Sequence, residues 1–170
     1  LHTSPQSFDD DEVKATQGPL PHFLQGLTPQ EMSRRAVLYG LSCLTAMGEY
    51  QEVLAPFFQE DGVKIVLEGL QRTDLSCRLA AIELTSRLLA HKKFAMCFVQ
   101  DAAGVDKLVE LSEGEQAFQL HAALAMCLFG LASLSNVMEE VCRLPSATFH
   151  RLVSYAISLL RCPQEAAQKS

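Results

Sequence analysis

Slid along itself by about 42 residues, the chain meets its own pattern again. Leu54 falls on Met96 and then Met138, Phe57 on Val99 and Val141, and Met47 on Leu89 and Leu131. Gly62-Val63 falls on Gly104-Val105, and Leu67 on Val109. Between these landmarks apolar residues recur at steps of three and four, which line one face of an α-helix. A period in the low forties built from helices describes units of two or three helices each. No such unit covers its own apolar face, so neighbours must stack. A chain organised this way is expected to offer a surface to partners rather than an active-site cleft.

Composition agrees with a packed helical body. Of 170 residues, 48% are hydrophobic, enough for a core and far from a disordered composition. The net charge is −6. Asp9, Asp10, Asp11 and Glu12, offset by Lys14, carry half of it, so the rest is close to balanced. No basic stripe is available to neutralise phosphates, which argues against nucleic acid as a partner. No apolar run reaches the ~18 residues a membrane span needs, and no charged start leads into an apolar signal core. The start at Leu1 and the trailing Gln164-Glu165-Ala166-Ala167-Gln168 read as a piece of a longer chain.

Residues 1–27 hold Pro5, Pro19, Pro21 and the acidic run, the composition of a flexible tail. Helical repeats are expected over 28–162, and a short tail over 163–170. Thr28-Pro29-Gln30-Glu31 combines a capping box with proline at the first helical position, and opens a long helix that Gly48 ends. A short helix is expected at 49–59, kinked at Pro56, and a third from Val63 to Leu70. Asp74 caps the next long helix. The His91-Lys92-Lys93 corner and a short helix at 92–101 follow. Ala103-Gly104 is read as the turn into a third helix, with glycine where a side chain would collide or φ is positive. The last unit repeats the order over 116–133, 136–143 and 147–161, with Ser146 as N-cap. Its register slips by about two residues. The order is that of armadillo units cut out of phase. HEAT units, with two helices each, are the competitor, and the short helices favour armadillo. The expected fold is therefore all-α: an armadillo-like (ARM/HEAT) helical-repeat solenoid of about three repeats, with a disordered N-terminal tail.

Six cysteines show no C-x-x-C pair. Cys43, Cys97, Cys127 and Cys142 lie in apolar helical patterns and read as reduced, core-filling thiols of the cytosol or nucleus. Clustered metal ligands are absent, and His121 stands six residues before Cys127, the wrong spacing for a shared helix face. It reads as a satisfied core or groove histidine. Nucleophile-elbow, phosphate-loop, dinucleotide and kinase signatures are also missing, so no catalytic, cofactor or metal residue is assigned and no enzyme is expected. The candidate partner-binding residues are Arg87, His91, Lys92 and Lys93, a basic corner suited to an acidic segment. By the repeat register the inner surface holds Leu41 and Thr45, then Glu83 and Arg87, then Ala125 and Phe129. With no tryptophan in the chain, this is not the tryptophan–asparagine ladder of import receptors. The last helix, with Leu152, Tyr155, Ile157, Leu159 and Leu160, is apolar on much of its surface and is expected to meet a further repeat or partner.

Three stretches carry a family resemblance: Leu44-Thr45-Ala46-Met47-Gly48-Glu49-Tyr50-Gln51-Glu52-Val53-Leu54, His91-Lys92-Lys93-Phe94-Ala95-Met96-Cys97-Phe98-Val99, and Met126-Cys127-Leu128 through Met138-Glu139-Glu140-Val141-Cys142-Arg143, continued by Val153-Ser154-Tyr155-Ala156. In order and spacing they resemble the N-terminal armadillo-like region of the Vpr-binding protein family, substrate receptors of cullin-4 RING ubiquitin ligases. The likeness covers about Leu44 to Cys162 and is slight before Ala36. It implies a scaffold that makes protein contacts in ubiquitination, in the nucleus and also the cytoplasm. It further implies self-association through a LisH segment and adaptor docking through a WD-repeat propeller, both outside these 170 residues.

Overall fold

The structure, a computed structural model, describes residues 26–50, 52, 54–55, 61–114 and 117–161. The acidic run Asp9 to Glu12, the tail through residue 25, Pro56 with Phe57 and Phe58, and residues 162–170 lie outside the described residues. Among the described residues are eight α-helices and no strand. They are α1 Pro29–Met47, α2 Gly62–Leu70, α3 Leu75–Leu88, α4 Lys92–Gln100, α5 Ala102–Glu113, α6 Ala117–Ser133, α7 Ser135–Cys142 and α8 Ser146–Leu159. Glu52, Leu54 and Ala55 are helical as well, inside the short helix expected at 49–59.

The described residues fall into two units that divide between Arg35 and Ala36. In the first, Thr28 Oγ1 accepts from Glu31 N–H at 3.2 Å, and Met32 N–H bonds to Thr28 O. Only half of the expected capping box forms. The Glu31 carboxylate turns instead to Arg34 and Arg35, three and four residues on, at 2.8 to 3.1 Å. Those guanidiniums are stronger donors than a neutral N–H, so they win the carboxylate.

The second unit has one continuous core. Leu54, Val66, Leu70, Ile82, Leu84, Leu88, Leu89, Phe94, Phe98, Val105, Leu120 and Leu124 are its largest fully buried side chains. Helices that hold the same place in the sequence period pack on one another: α2 on α5, α3 on α6, α4 on α7 and α5 on α8. Within a period α4 also packs on α5, and α6 on α7. The period landmarks follow this order. Val99 and Val141 are buried, and so are Leu89 and Leu131.

The helix starts are local chemistry. Asp74 accepts from Cys77 N–H at 2.9 Å and caps α3 as expected. The corner before α5 lies one to two residues earlier than the sequence suggested. Asp101 is the N-cap, accepting from Ala103 N–H at 3.2 Å, and both Ala103 and Gly104 are already helical. At α8 Pro145 holds the N-cap position without a side-chain bond, and Ser146 is the first helical residue rather than the cap.

Polar links join successive layers at their rims. Thr148 Oγ1 donates to Asp106 Oδ1 at 2.7 Å, and Arg151 grips Glu113 at 3.0 and 2.6 Å, joining α8 to α5. Among the described residues no single helix is long and apolar enough to cross a membrane. The pair Phe118–Ser133 and Ser135–Cys142 reaches that length only together, and it bends by 103° between the two.

Candidate functional site

Three long helices end beside one another and leave a groove of about 950 Å³. The end of α1 brings Thr45, Gly48 and Glu49, the end of α3 and the corner after it bring Glu83, Ser86, Arg87, Ala90 and His91, and the end of α6 brings Met126, Phe129, Gly130 and Ser133. Helices α3 and α6 approach closely because Gly130 lies against Leu89. A Cβ at Gly130 would stand 2.9 Å from that of Leu89. The crossing therefore needs a residue without a side chain.

The rim of the groove ties two layers together. His91 Nε2 lies 2.7 Å from the Gly48 carbonyl oxygen. A carbonyl only accepts, so this nitrogen carries the proton and donates. The bond satisfies an acceptor just past the end of α1, where backbone carbonyls lack helical partners. Arg87 pairs with Glu49 across the same seam. Both pairs join residues roughly one period apart, at separations of 43 and 38.

Along α6 the steps of four, four and three place Phe118, Ala122, Met126 and Phe129 on one face. Phe129 is 68% exposed, Met126 56% and Phe118 73%. Covering one such side chain is worth roughly 1.5–3 kcal/mol. Glu83, between Leu41 and Ala125 in the register, lines the groove and is exposed, and its carboxylate makes no hydrogen bond or ion pair among the described residues.

The four basic residues singled out from the sequence do not share one patch. Arg87 and His91 line the groove. Lys92 is exposed at the start of α4. Lys93 faces a separate cavity of about 250 Å³ with Asp61, Lys64, Cys97 and Asp101. Of the inner positions named by the register, Thr45, Glu83, Arg87 and Phe129 line the groove together. Leu41 does not; it is buried and packs beside Gly69. Ala125 is also off the lining, and Met126 takes its place. Glu49 and Met126 were missed, although Glu49 follows directly on the helix-ending glycine.

His121 is satisfied, as the sequence suggested. Its Nδ1 lies 2.9 Å from the Tyr155 hydroxyl, and Phe118 meets its ring edge-on at 6.0 Å. The cysteine expectation fails in part. Cys127 is buried, with its thiol 3.5 Å from the Ile82 carbonyl, but Cys43, Cys97 and Cys142 are exposed. Cys77, not singled out, is buried. Burial pushes the Cys127 thiol well above its ordinary pKa of 9.0. Among the described residues no three His, Cys, Asp or Glu side chains gather as a metal site.

Comparison with known proteins places this helical unit. The Mahjong helical domain matches residues 22–145. The match reaches back beyond Ala36, where the sequence alone showed little likeness. Over 140 residues the chain is 37% identical to "DDB1- and CUL4-associated factor homolog 1" of Arabidopsis thaliana, covering 78% of this chain and 7% of that protein. "Protein mahjong" of Drosophila melanogaster is 31% identical over 123 residues, covering 70% of this chain and 8% of its own length. The Caenorhabditis elegans "DDB1- and CUL4-associated factor homolog 1" is 26% identical over 133 residues, covering 76% of this chain and 8% of its own. The chain thus spans under a tenth of the curated relatives it matches. No solved structure matches it. On a match that covers most of its length and most of its helices, the chain belongs to the Mahjong helical domain family.

Proposed function

We propose that the chain is an armadillo-like part of a substrate receptor for a cullin-4 RING ubiquitin ligase, acting as a scaffold for protein contacts in ubiquitination. The observation that carries this reading is the family match over residues 22–145, joined to relatives named as cullin-4-associated factors. The counterpart packing of α2 through α8 supports an armadillo-like arrangement of those helices. The role is non-enzymatic, a reading supported by relatives named as associated factors. Contact with the ligase adaptor runs through other parts of the parent protein, which also self-associates and works in the nucleus. The exposed face of α8, with Val153, Ile157 and Leu160, is the side on which a further helical layer stacks.

The test is affinity purification of the full-length parent protein followed by mass spectrometry. Cullin-4 and its adaptor are expected among the stable partners, and their absence would sink the proposal. A second reading is favoured by one observation, the 950 Å³ groove with its exposed aromatic. In it the chain is a helical-repeat adaptor that holds a partner peptide on its long-helix face and works apart from a ligase. Stable partners without any ligase component would support that reading instead.

A further inference from the structure

The groove at the ends of α1, α3 and α6 has a chemistry that selects its occupant. We propose that it docks a segment of a partner protein that sets a large apolar side chain on Met126 and Phe129 and a lysine or arginine on Glu83. This rests on the reading that the long-helix face binds partners, and names what it binds.

Two observations point the same way. Met126 and Phe129 stand exposed on one side of the groove, 56% and 68% open. The charges in the groove are unequal in availability. Arg87 is occupied by Glu49 across the seam, whereas the Glu83 carboxylate is exposed and unpaired among the described residues. The charge left over is therefore the Glu83 carboxylate, which repels an acidic segment and holds a cation. A volume of about 950 Å³ accommodates a few side chains, not a folded domain. The recognition is a single cation next to an apolar anchor. It differs from polybasic recognition, for which a ladder of several carboxylates and aromatics would be required.

The experiment is selection of a phage-displayed random dodecapeptide library on the 170-residue chain, followed by fluorescence-anisotropy titration of the best peptides. Enrichment of Lys or Arg within a few positions of Leu, Met, Phe or Trp is expected. Phe129→Ala should weaken those peptides roughly tenfold or more, as for a buried anchor. Glu83→Lys should weaken them roughly fivefold or more, and Glu83→Gln less, in the order set by charge. Glu68→Lys, exposed on α2 away from the groove, should leave binding unchanged. Both groove positions are exposed, so the variants are expected to fold, which far-UV circular dichroism checks. No enrichment, enrichment of acidic peptides, or binding indifferent to Glu83→Lys each overturns the proposal. So does equal binding of a polylysine probe lacking any apolar residue. None of these results bears on whether the full-length parent copurifies with cullin-4, so the two readings fail separately.

Discussion

A Cβ on Gly104 would stand 2.3 Å from the Phe98 carbonyl oxygen and 3.2 Å from its ring. The obstacle is backbone, which does not swing aside as a side-chain end would. Gly104→Ala is therefore expected to cost about 1–3 kcal/mol or more, read as a lower urea midpoint with an unchanged slope. The position needs close approach and not an unusual φ, since Gly26 is the one described glycine with positive φ. The sequence signalled this residue through its repetition at Gly62, and of the two reasons it offered, collision and positive φ, collision is the one found. Cysteines were less legible, because an apolar pattern locates a helix face only to within a residue or so, and one step around a helix turns a side chain by about 100°. Cys43, Cys97 and Cys142 fall just outside the buried arc, and Cys77 just inside. Maleimide labelling under native conditions should modify those three quickly, and Cys77 and Cys127 only after unfolding. Peptide mass spectrometry reads the result.

Helix ends were legible wherever one side chain acts alone. Asp74 bonds to Cys77 N–H without a competitor, and Asp74→Ala is expected to cost about 1 kcal/mol in thermal or urea unfolding. Where a second partner competes, sequence spacing misleads. Glu31 has the spacing of a capping box, yet Arg34 and Arg35 take its carboxylate and hold its pKa at about 2, well below the ordinary 4.5. NMR titration of the Glu31 carboxyl should find a midpoint near that value, and replacing both arginines with glutamine should bring it up toward 4.5. Glu113 is lowered in the same direction by its hydrogen bonds to Arg151. A carboxylate whose folded pKa is depressed stabilises the fold above its unfolded pKa, and that stabilisation is lost as pH falls through the lower folded value. Acid unfolding of Glu113→Gln should thus show a shallower loss of stability below about pH 4.5 than the parent chain. The α5–α8 pair it belongs to joins residues 38 apart, a distance that no local pattern announces.

At the scale of the molecule, burial separates residues that hydropathy cannot. Leu152 and Tyr155 of α8 are core, whereas Val153, Ile157 and Leu160 lie on its open face, the last of them 87% exposed. A hydrophobic dye should fluoresce with the native chain. Val153→Ser with Ile157→Ser should reduce that signal while thermal stability changes little, since neither residue belongs to the core. The candidate groove was half visible in advance. Thr45, Arg87 and Phe129 stand one period apart, so the register alone sets them in line. What the register could not say is that Leu41 turns into the core against Gly69, that Met126 replaces Ala125, or that Glu49 takes the charge of Arg87.

By itself the sequence determined the helices, their order and their period, because three- and four-residue apolar spacing, caps and glycines act within a few residues along the chain. Only the tertiary structure decided which side of each helix stays open and which charges remain unpaired. Those depend on contacts between residues some forty positions apart, where small differences in crossing and register settle whether a side chain meets a neighbour or solvent.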